Sequence, residues 1–290
     1  MAGVRTIAGG LFIIAGAILG GRGLAAPVPR MPPPLSQAGK AGPAEAQRIL
    51  EAFRRAGIAG DYFLEFELRT RPRRGAGRTF PGRLWGRRTV LGAAHRIEFA
   101  AVGEGPVVRL LLQNGVRAGA WRWAGGPVAP LVGAEMFASV IPDVGITPFD
   151  LLMPFLYWPE AVLESLRRGA LGRPANVFLF RTPPDSPAAP AGIAAARAYL
   201  DTQYNVLLKT ELLDLDERVR KTFSLVSLKT IEQQALPRTI DFLDGGTRDK
   251  TRFEVRAAAL DLDFLPAIFE QDGLGDAVRP PDAAELICFD

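Results

Sequence analysis

Two hydrophobic repeats follow one another in the first third of the chain. Between Pro43 and Gly57 the apolar side chains fall at helical spacing, which predicts one amphipathic helix. From residue 61 to residue 70 the period becomes two, which is typical of a strand with one buried face. The apolar positions on one side of this strand are Tyr62, Leu64, Phe66 and Leu68. We therefore expect a helix that leads directly into a strand.

Most of the remaining chain consists of short apolar runs separated by turn residues. The strand-like runs are 83–91, 96–102, 107–113, 116–123, 177–181, 195–201, 206–213, 219–228, 238–242 and 251–259. Asn114-Gly115 is the clearest turn, because this pair favours a two-residue hairpin. Neighbouring runs within 83–123, and likewise within 177–259, have no helix between them, so they predict antiparallel pairing.

The segment from 142 to 168 interrupts the strands and is the most aromatic part of the chain. Thr147 can cap a short helix with Pro148 at its first position, and Pro154 interrupts that helix. A second helix is predicted from Pro159 to residue 168. Residues 149–158 have two interpretations, an ordinary piece of core or a lid over an apolar cavity. The lid candidates are Phe149, Leu152, Phe155 and Leu156.

The N-terminal residues have the order of a secretory signal peptide. Arg5 precedes an uncharged run from 6 to 21, and the small-x-small site ends at Ala25. Cleavage of a signal peptide at 1–25 is one interpretation, and an uncleaved membrane anchor is the other, although the run is short for a span. Residues 26–43 form a proline-rich linker, and 275–290 are expected to be a loose tail. The folded domain should therefore occupy 44–274 outside the cytoplasm.

The charge balance gives little support for a nucleic-acid binder. Lys and Arg number 35 and Asp and Glu 31, which leaves a net charge of +4. Basic residues are dense between two predicted strands, at Arg69, Arg71, Arg73, Arg74 and Arg78. This run is either a solvated hairpin loop or a contact with anionic phospholipid head groups or an acidic partner, through Arg71, Arg73 and Arg74.

Catalytic chemistry has few candidates in this sequence. His95 is the single histidine, which excludes a metal site with several histidines. The sequence has no Gly-x-Ser-x-Gly elbow and no glycine-rich phosphate loop, and Cys288 is its single cysteine. A pair of glycosidase carboxylates from distant strands stays open, because spacing cannot reveal it. We therefore expect neither a metal nor a cofactor, and we do not expect an enzyme.

The C-terminal third resembles the outer-membrane lipoprotein-sorting protein family, whose members are LolA-like. The residues that carry the resemblance are 198–201, 206–211, 220–223, Pro237-Arg238-Thr239, 248–253 and 265–269, with Gly60-Asp61-Tyr62 and 149–152 in the N-terminal half. The resemblance covers roughly 44–274. The chain departs from the family at 233–237, where Gln-Gln-Ala-Leu-Pro lacks the usual Gly and Trp.

This resemblance implies an α+β fold, in which a strongly curved antiparallel sheet forms an unclosed β-barrel and helices cover its open side. It also implies a periplasmic carrier that binds lipids or lipoprotein acyl chains in an apolar cavity. The cavity would be lined by Tyr62, Leu64 and Phe66 and covered by the lid candidates. One alternative is a non-catalytic envelope regulatory protein that binds a partner protein on the same scaffold. A hydrolase is the third class that the sequence leaves open.

Overall fold

The computed structural model of the chain describes residues 42–100, 107–231 and 234–289. The predicted signal peptide and the linker up to residue 41 lie outside these residues. The first described element is the predicted helix, α1, which spans Pro43–Arg55. Pro43 occupies its first turn, where a missing amide proton costs nothing, and Leu50 and Phe53 are buried on its apolar stripe.

The strands in the described residues form one antiparallel sheet with fourteen members. They are β1 Asp61–Arg71, β2 Thr79–Thr89, β3 Gly92–Phe99, β4 Val108–Gln113, β5 Gly119–Trp123, β6 Ala129–Pro130, β7 Ala161–Arg168, β8 Pro174–Arg181, β9 Ala195–Asp201, β10 Leu207–Leu213, β11 Val219–Ile231, β12 Gln234–Asp244, β13 Lys250–Leu262 and β14 Ile287–Cys288. The sheet order is β6-β5-β4-β3-β2-β1-β13-β12-β11-β10-β9-β8-β7, and β14 also pairs with β13. Because β6 and β7 do not meet, the sheet is an unclosed barrel, as the resemblance implied.

Between β6 and β7 the chain leaves the sheet and forms the central segment. A 3-10 turn at Gly133–Phe137 precedes the short helix α2 at Pro148–Leu152, and a second 3-10 turn follows at Pro154–Tyr157. The predicted cap at Thr147 and the interruption at Pro154 are confirmed.

The predicted helix at 159–168 is wrong, because Ala161–Arg168 is the edge strand β7. It pairs with β8 from Ala161 opposite Phe180 to Arg168 opposite Pro174. The carboxylate of Glu164 accepts a hydrogen bond of 2.6 Å from Arg197 of β9. A short amphipathic segment fits either period, and pairing with a neighbouring strand decides between them.

Residues 275–289, predicted as a loose tail, include residues that contact the sheet: Val278 and Leu286 pack against the outer-face cluster, and β14 pairs with β13. The segment after β13 lies on the outer face of the sheet, where Phe264, Ile268 and Phe269 pack against a small cluster of Phe63, Trp85 and Ala259. Arg96 of β3 is completely buried and donates hydrogen bonds to the carbonyls of Gly273 at 2.8 Å and Leu274 at 3.2 Å. Phe289 is buried beside β14. Hydrogen bonds from the buried Arg96 therefore hold the backbone of this segment in addition to its apolar contacts.

Candidate functional site

The inner face of the sheet carries one large apolar cluster to which every strand from β1 to β4 contributes. Tyr62, Leu64 and Phe66 of β1 point into this cluster, whereas Phe63 between them points to the outer face. Phe66 lies over Gly82 and Tyr62 lies over Gly86 of β2, so a side chain at either glycine would collide with a ring. Phe66 also stacks on Phe253 with ring centroids 4.5 Å apart. The inner face of β1 is therefore lined by aromatic rings that rest on bare backbone.

The concave side of the sheet is filled by a segment that we call the plug, defined as residues 147–158. Its first turn is closed by a reciprocal cap, in which Thr147 and Asp150 exchange hydrogen bonds between side chains and backbone amides at 2.8 and 3.2 Å. The Asp150 carboxylate also pairs with the ammonium of Lys221 on β11. This buried ion pair fixes the start of the plug to the sheet.

All four predicted lid residues lie inside the core cluster. Phe149, Leu152, Phe155 and Leu156 are each almost completely buried. The rings of Phe149 and Phe155 have centroids 5.9 Å apart, and the Trp158 ring lies 6.5 and 6.2 Å from them. These residues belong to the same large apolar cluster as Tyr62, Leu64 and Phe66 of the predicted cavity wall.

Met153 divides the plug into two short pieces. It has a φ of 47° and a ψ of 52°, in the left-handed region that an L-residue with a side chain adopts at a cost of roughly 1 kcal/mol. The pieces on either side, α2 and the 3-10 turn, are five and four residues long, which is too short to be stable helices on their own. The plug therefore holds its shape through contacts with the sheet and α1.

Two polar side chains tie the second half of the plug to its surroundings. Arg54, near the end of α1, donates from Nε to the Leu156 carbonyl at 2.7 Å and from Nη2 to the Trp158 carbonyl at 3.3 Å. Asn114, at the end of β4, donates from Nδ2 to the Leu152 carbonyl at 2.5 Å. These side chains donate to backbone carbonyls that have no hydrogen-bond partner within the short plug helices.

A group of polar side chains lies where the plug, α1 and β2 meet. The Tyr62 hydroxyl and His95 Nε2 are 2.7 Å apart, and both side chains are buried. Burial, helped by the positive charge of Arg88, lowers the pKa of His95 to about 3, and burial raises the pKa of Tyr62. Burial likewise lowers the pKa of Arg88 to about 10 and raises that of Tyr157 to about 12. His95 is therefore a neutral ring inside the core at physiological pH.

The predicted basic run is located at the β1–β2 turn, far from the polar group around His95. Arg69 pairs with Glu67 at 2.8 Å and Arg78 with Asp143 at 3.4 Å. Arg71, Arg73 and Arg74 are exposed, and within the described residues they form no ion pair. The backbone amide of Arg73 donates to Asp249 of the β12–β13 turn at 2.8 Å, which lowers the pKa of that carboxyl. The two turns are therefore held side by side.

Sequence reasoning missed Arg54, Asn114 and Lys221 as residues that hold the plug. Their partners are 102, 38 and 71 positions away in the chain, so no local motif signals the contacts. The described residues contain no group of three or more side chains that could hold a metal ion. Among the described helices, none is long and apolar enough to cross a membrane.

No protein-family model matches the chain, and no curated protein matches it. Solved structures with the same fold do exist. A DUF1329 family protein from Desulfovibrio piger is 13% identical with a TM-score of 0.63, and 74% of this chain aligns with 91% of that protein. An outer membrane lipoprotein-sorting protein domain from Vibrio parahaemolyticus is 16% identical with the same score and the same coverage. A LolA superfamily protein from Nitrosomonas europaea is 12% identical with a TM-score of 0.56, and 74% of this chain aligns with 92% of it.

Identities this low establish the fold alone. About three quarters of this chain, which contains the open antiparallel sheet, α1 and the plug, aligns with nearly the whole of each of these proteins. The chain therefore has the LolA-like fold, and the resemblance found in its sequence is confirmed at the level of the fold.

Proposed function

We propose that the chain is an exported periplasmic carrier that binds lipids or lipoprotein acyl chains in the hollow of its sheet, in outer-membrane lipoprotein sorting. The observation that supports this most is the plug. It is an apolar segment in two short pieces, joined at a left-handed residue, and it occupies the concave side of an open sheet. Because neither piece is stable as a helix on its own, the plug can leave the sheet without breaking a long helix.

The energetics of such a carrier are favourable without a covalent step. Each acyl methylene that leaves water contributes about 0.8 kcal/mol, so a chain of about ten methylenes gains about 8 kcal/mol. The plug need not reach water when it opens, because its aromatic face can cover the acyl chain that enters the hollow. The cost of opening is then mainly the loss of the bonds from Arg54 and Asn114 to the plug carbonyls.

The test is acyl binding by the full chain purified from the cell envelope. Native mass spectrometry should detect lipid that leaves on delipidation, and a fluorescent fatty-acyl probe should then bind the emptied protein. Leu64→Gln places an amide in the inner wall and should weaken probe binding. Glu65→Gln, one position along on the same strand, is the matched control and should not. A chain that carries no lipid and binds no probe contradicts the proposal.

We further propose that Arg71, Arg73 and Arg74 contact an anionic membrane surface. Three exposed arginines near such a surface contribute about 1 kcal/mol each, an attraction that salt weakens. The triple change to serine should lower binding to vesicles rich in phosphatidylglycerol by about 100-fold, with little effect on neutral vesicles. The control removes the same charge from three exposed arginines outside this turn: Arg48, Arg181 and Arg279. Equal losses in both triple variants would mean that net charge, and not this turn, governs binding.

The alternative function, binding of a partner protein in the same hollow, is an outcome of the acyl-binding test. A protein that stays free of lipid but gives one fixed crosslinked partner in cells would favour it. The scaffold would then use the apolar inner face for a peptide or a helix.

A further inference from the structure

Two neighbouring turns at one end of the sheet carry exposed apolar side chains. Val90 and Leu91 form the β2–β3 turn, and Val116 lies in the β4–β5 turn. The exposed fractions are 104% for Val90, 52% for Leu91 and 91% for Val116. Polar residues and glycine are the usual occupants of hairpin turns, so apolar side chains here contribute nothing to the fold. We call these three residues the apolar tip.

The apolar tip is one rigid unit, because the backbones of its two turns touch. A methyl group built on Gly115 would lie 1.9 Å from the Leu91 carbonyl oxygen, and one on Gly92 would lie 2.3 Å from that of Asn114. The φ angles of Gly92 and Gly115 are 131° and 122°, which only glycine adopts readily. Thr89 Oγ1 accepts from the Leu91 amide at 3.1 Å and holds the first turn. A preformed tip loses little conformational entropy when it is buried against a partner.

The surroundings of the tip fit the interface of a lipid bilayer. Arg117 is exposed beside Val116, where its guanidinium can reach phosphates while its stem stays with the apolar side chains. Trp121 lies further from the end of the sheet, in a cleft of about 530 Å³ that Leu91 also lines. A basic residue and a tryptophan close to exposed apolar side chains are typical of segments that lie in the interface of a membrane.

Glu270 and Asp272 also line this cleft, and their negative charges determine which lipid head groups the tip can approach. Two carboxylates near the tip oppose an anionic surface and tolerate a zwitterionic one. This end of the sheet therefore differs from the β1–β2 turn with its free arginines, which lies at the opposite end because hairpin turns alternate along a meander.

The tip also lies at the end of the sheet where α1 ends and contacts the plug. Arg88, next to the β2–β3 turn, approaches the Ala56 carbonyl at the end of α1 with 3.5 Å between donor and acceptor. Arg54 of the same helix end holds the Trp158 carbonyl. Asn114, which begins the β4–β5 turn, holds the Leu152 carbonyl. We propose that the apolar tip of Val90, Leu91 and Val116 inserts into the outer layer of a zwitterionic lipid bilayer and presents this end of the hollow to the membrane.

A fluorescent reporter on the full chain tests the insertion. Cys288 is the single cysteine and is exposed, so Cys288→Ser gives a background without reactive thiols. Val116→Cys in that background is labelled with the polarity-sensitive dye NBD. Leu215→Cys is the matched control, because Leu215 is 88% exposed in the β10–β11 turn at the opposite end. Each reporter reads its own depth, so the result does not depend on membrane binding by another segment.

With phosphatidylcholine–phosphatidylethanolamine vesicles, NBD at position 116 should brighten, shift to the blue and be quenched by nitroxide on the acyl chains. NBD at position 215 should do none of these. Adding Val90→Asp to the 116 reporter should raise the lipid concentration at half response by about tenfold or more, since one valine leaves the apolar layer. Leu215→Asp in the same reporter should leave it unchanged.

Three results would overturn the inference. They are no change at position 116 with these vesicles, an equal change at positions 116 and 215, and a change at 116 that requires anionic lipid. The outcome is independent of the carrier proposal, because insertion of the tip is read without any lipid bound in the hollow.

Discussion

Replacing Arg54 with alanine removes the contact that holds the second half of the plug. The guanidinium donates to the carbonyls of Leu156 and Trp158 at 2.7 and 3.3 Å, and its carbon lies 5.4 Å from the centre of the Tyr157 ring. Alanine keeps the helix α1, since it is the best helix former. The change therefore weakens the closed plug and leaves the sheet intact.

The size of the effect follows from these contacts. A hydrogen bond to a charged group contributes about 1.5 to 3 kcal/mol, and the partial exposure of Arg54 and the length of the second bond place the sum near the lower part of that range. A loss of about 2 kcal/mol from the closed state raises the open population by about 30-fold. If the hollow binds acyl chains only when the plug is open, the apparent Kd for a fatty-acyl probe falls by up to the same factor.

Probe titration and thermal unfolding of the delipidated chain measure the two consequences together. The Tm without lipid should fall by about 4 to 8 °C, because about 2 kcal/mol is lost from a domain of this size. Saturating lipid should remove most of that difference, since the lipid-bound state does not use the contact. Arg55→Ala is the matched control, because Arg55 bonds only to the Glu51 carbonyl at 3.2 Å and to its carboxylate, within its own helix.

If Arg54→Ala lowers the Tm but leaves the Kd for the probe unchanged, Arg54 is a structural contact of a plug that never opens. An equal response in Arg55→Ala would assign the effect to α1 as a whole.

Further predictions concern the core of the plug, the buried histidine and the outer-face segment. Phe149→Ala with Phe155→Ala should also loosen the closed plug, but it removes two rings that would contact the acyl chain, so acyl-probe affinity should fall, unlike in Arg54→Ala, while the fold stays largely intact. A large drop in Tm with unchanged affinity of the folded fraction would make both residues ordinary core. The pKa of His95 is about 3 in the folded state and near 6.5 in the unfolded state, so the unfolded state binds more protons between these pH values. The free energy of unfolding, measured with urea, should therefore fall as the pH drops from 6.5 towards 3, by about 1.4 kcal/mol per pH unit at most. The fall should be smaller in His95→Gln. Arg96→Ala should free the segment after β13 and make it the first site of limited proteolysis, with Arg83→Ala, an exposed arginine of β2, as the unaffected control.

The inner wall of the hollow was predictable because its signal is local. The alternation through Tyr62, Leu64 and Phe66 fixes which side chains share a face, whatever the neighbouring strands are. Asn114-Gly115 and the Thr147 cap were also local, and the structure has a turn and a helix start at these positions. The order of the strands followed the rule that consecutive strands pair, although the pairing of β1 with β13 was not predicted.

The features that the sequence did not predict depend on contacts between residues that are far apart in the chain. Residues 161–168 form a strand because β8 is beside them, and their own pattern suits either period. The segment after β13 lies on the sheet partly because Arg96, more than 170 positions earlier, supplies donors for the Gly273 and Leu274 carbonyls. Arg54 is at a polar position of the predicted helix, and its role follows only from its hydrogen bond to the Leu156 carbonyl.

In the proposed carrier, the acyl chain lies against the inner face of β1 beneath the plug. Photocrosslinking with a diazirine placed near the end of a fatty acyl chain, followed by peptide mass spectrometry of the full chain, locates the chain directly. We expect crosslinks to Tyr62, Leu64 or Phe66 and to the plug at Phe149 or Phe155, and we expect excess unlabelled lipid to abolish them. Crosslinks confined to the outer face of the sheet, or labelling that unlabelled lipid does not reduce, would contradict it.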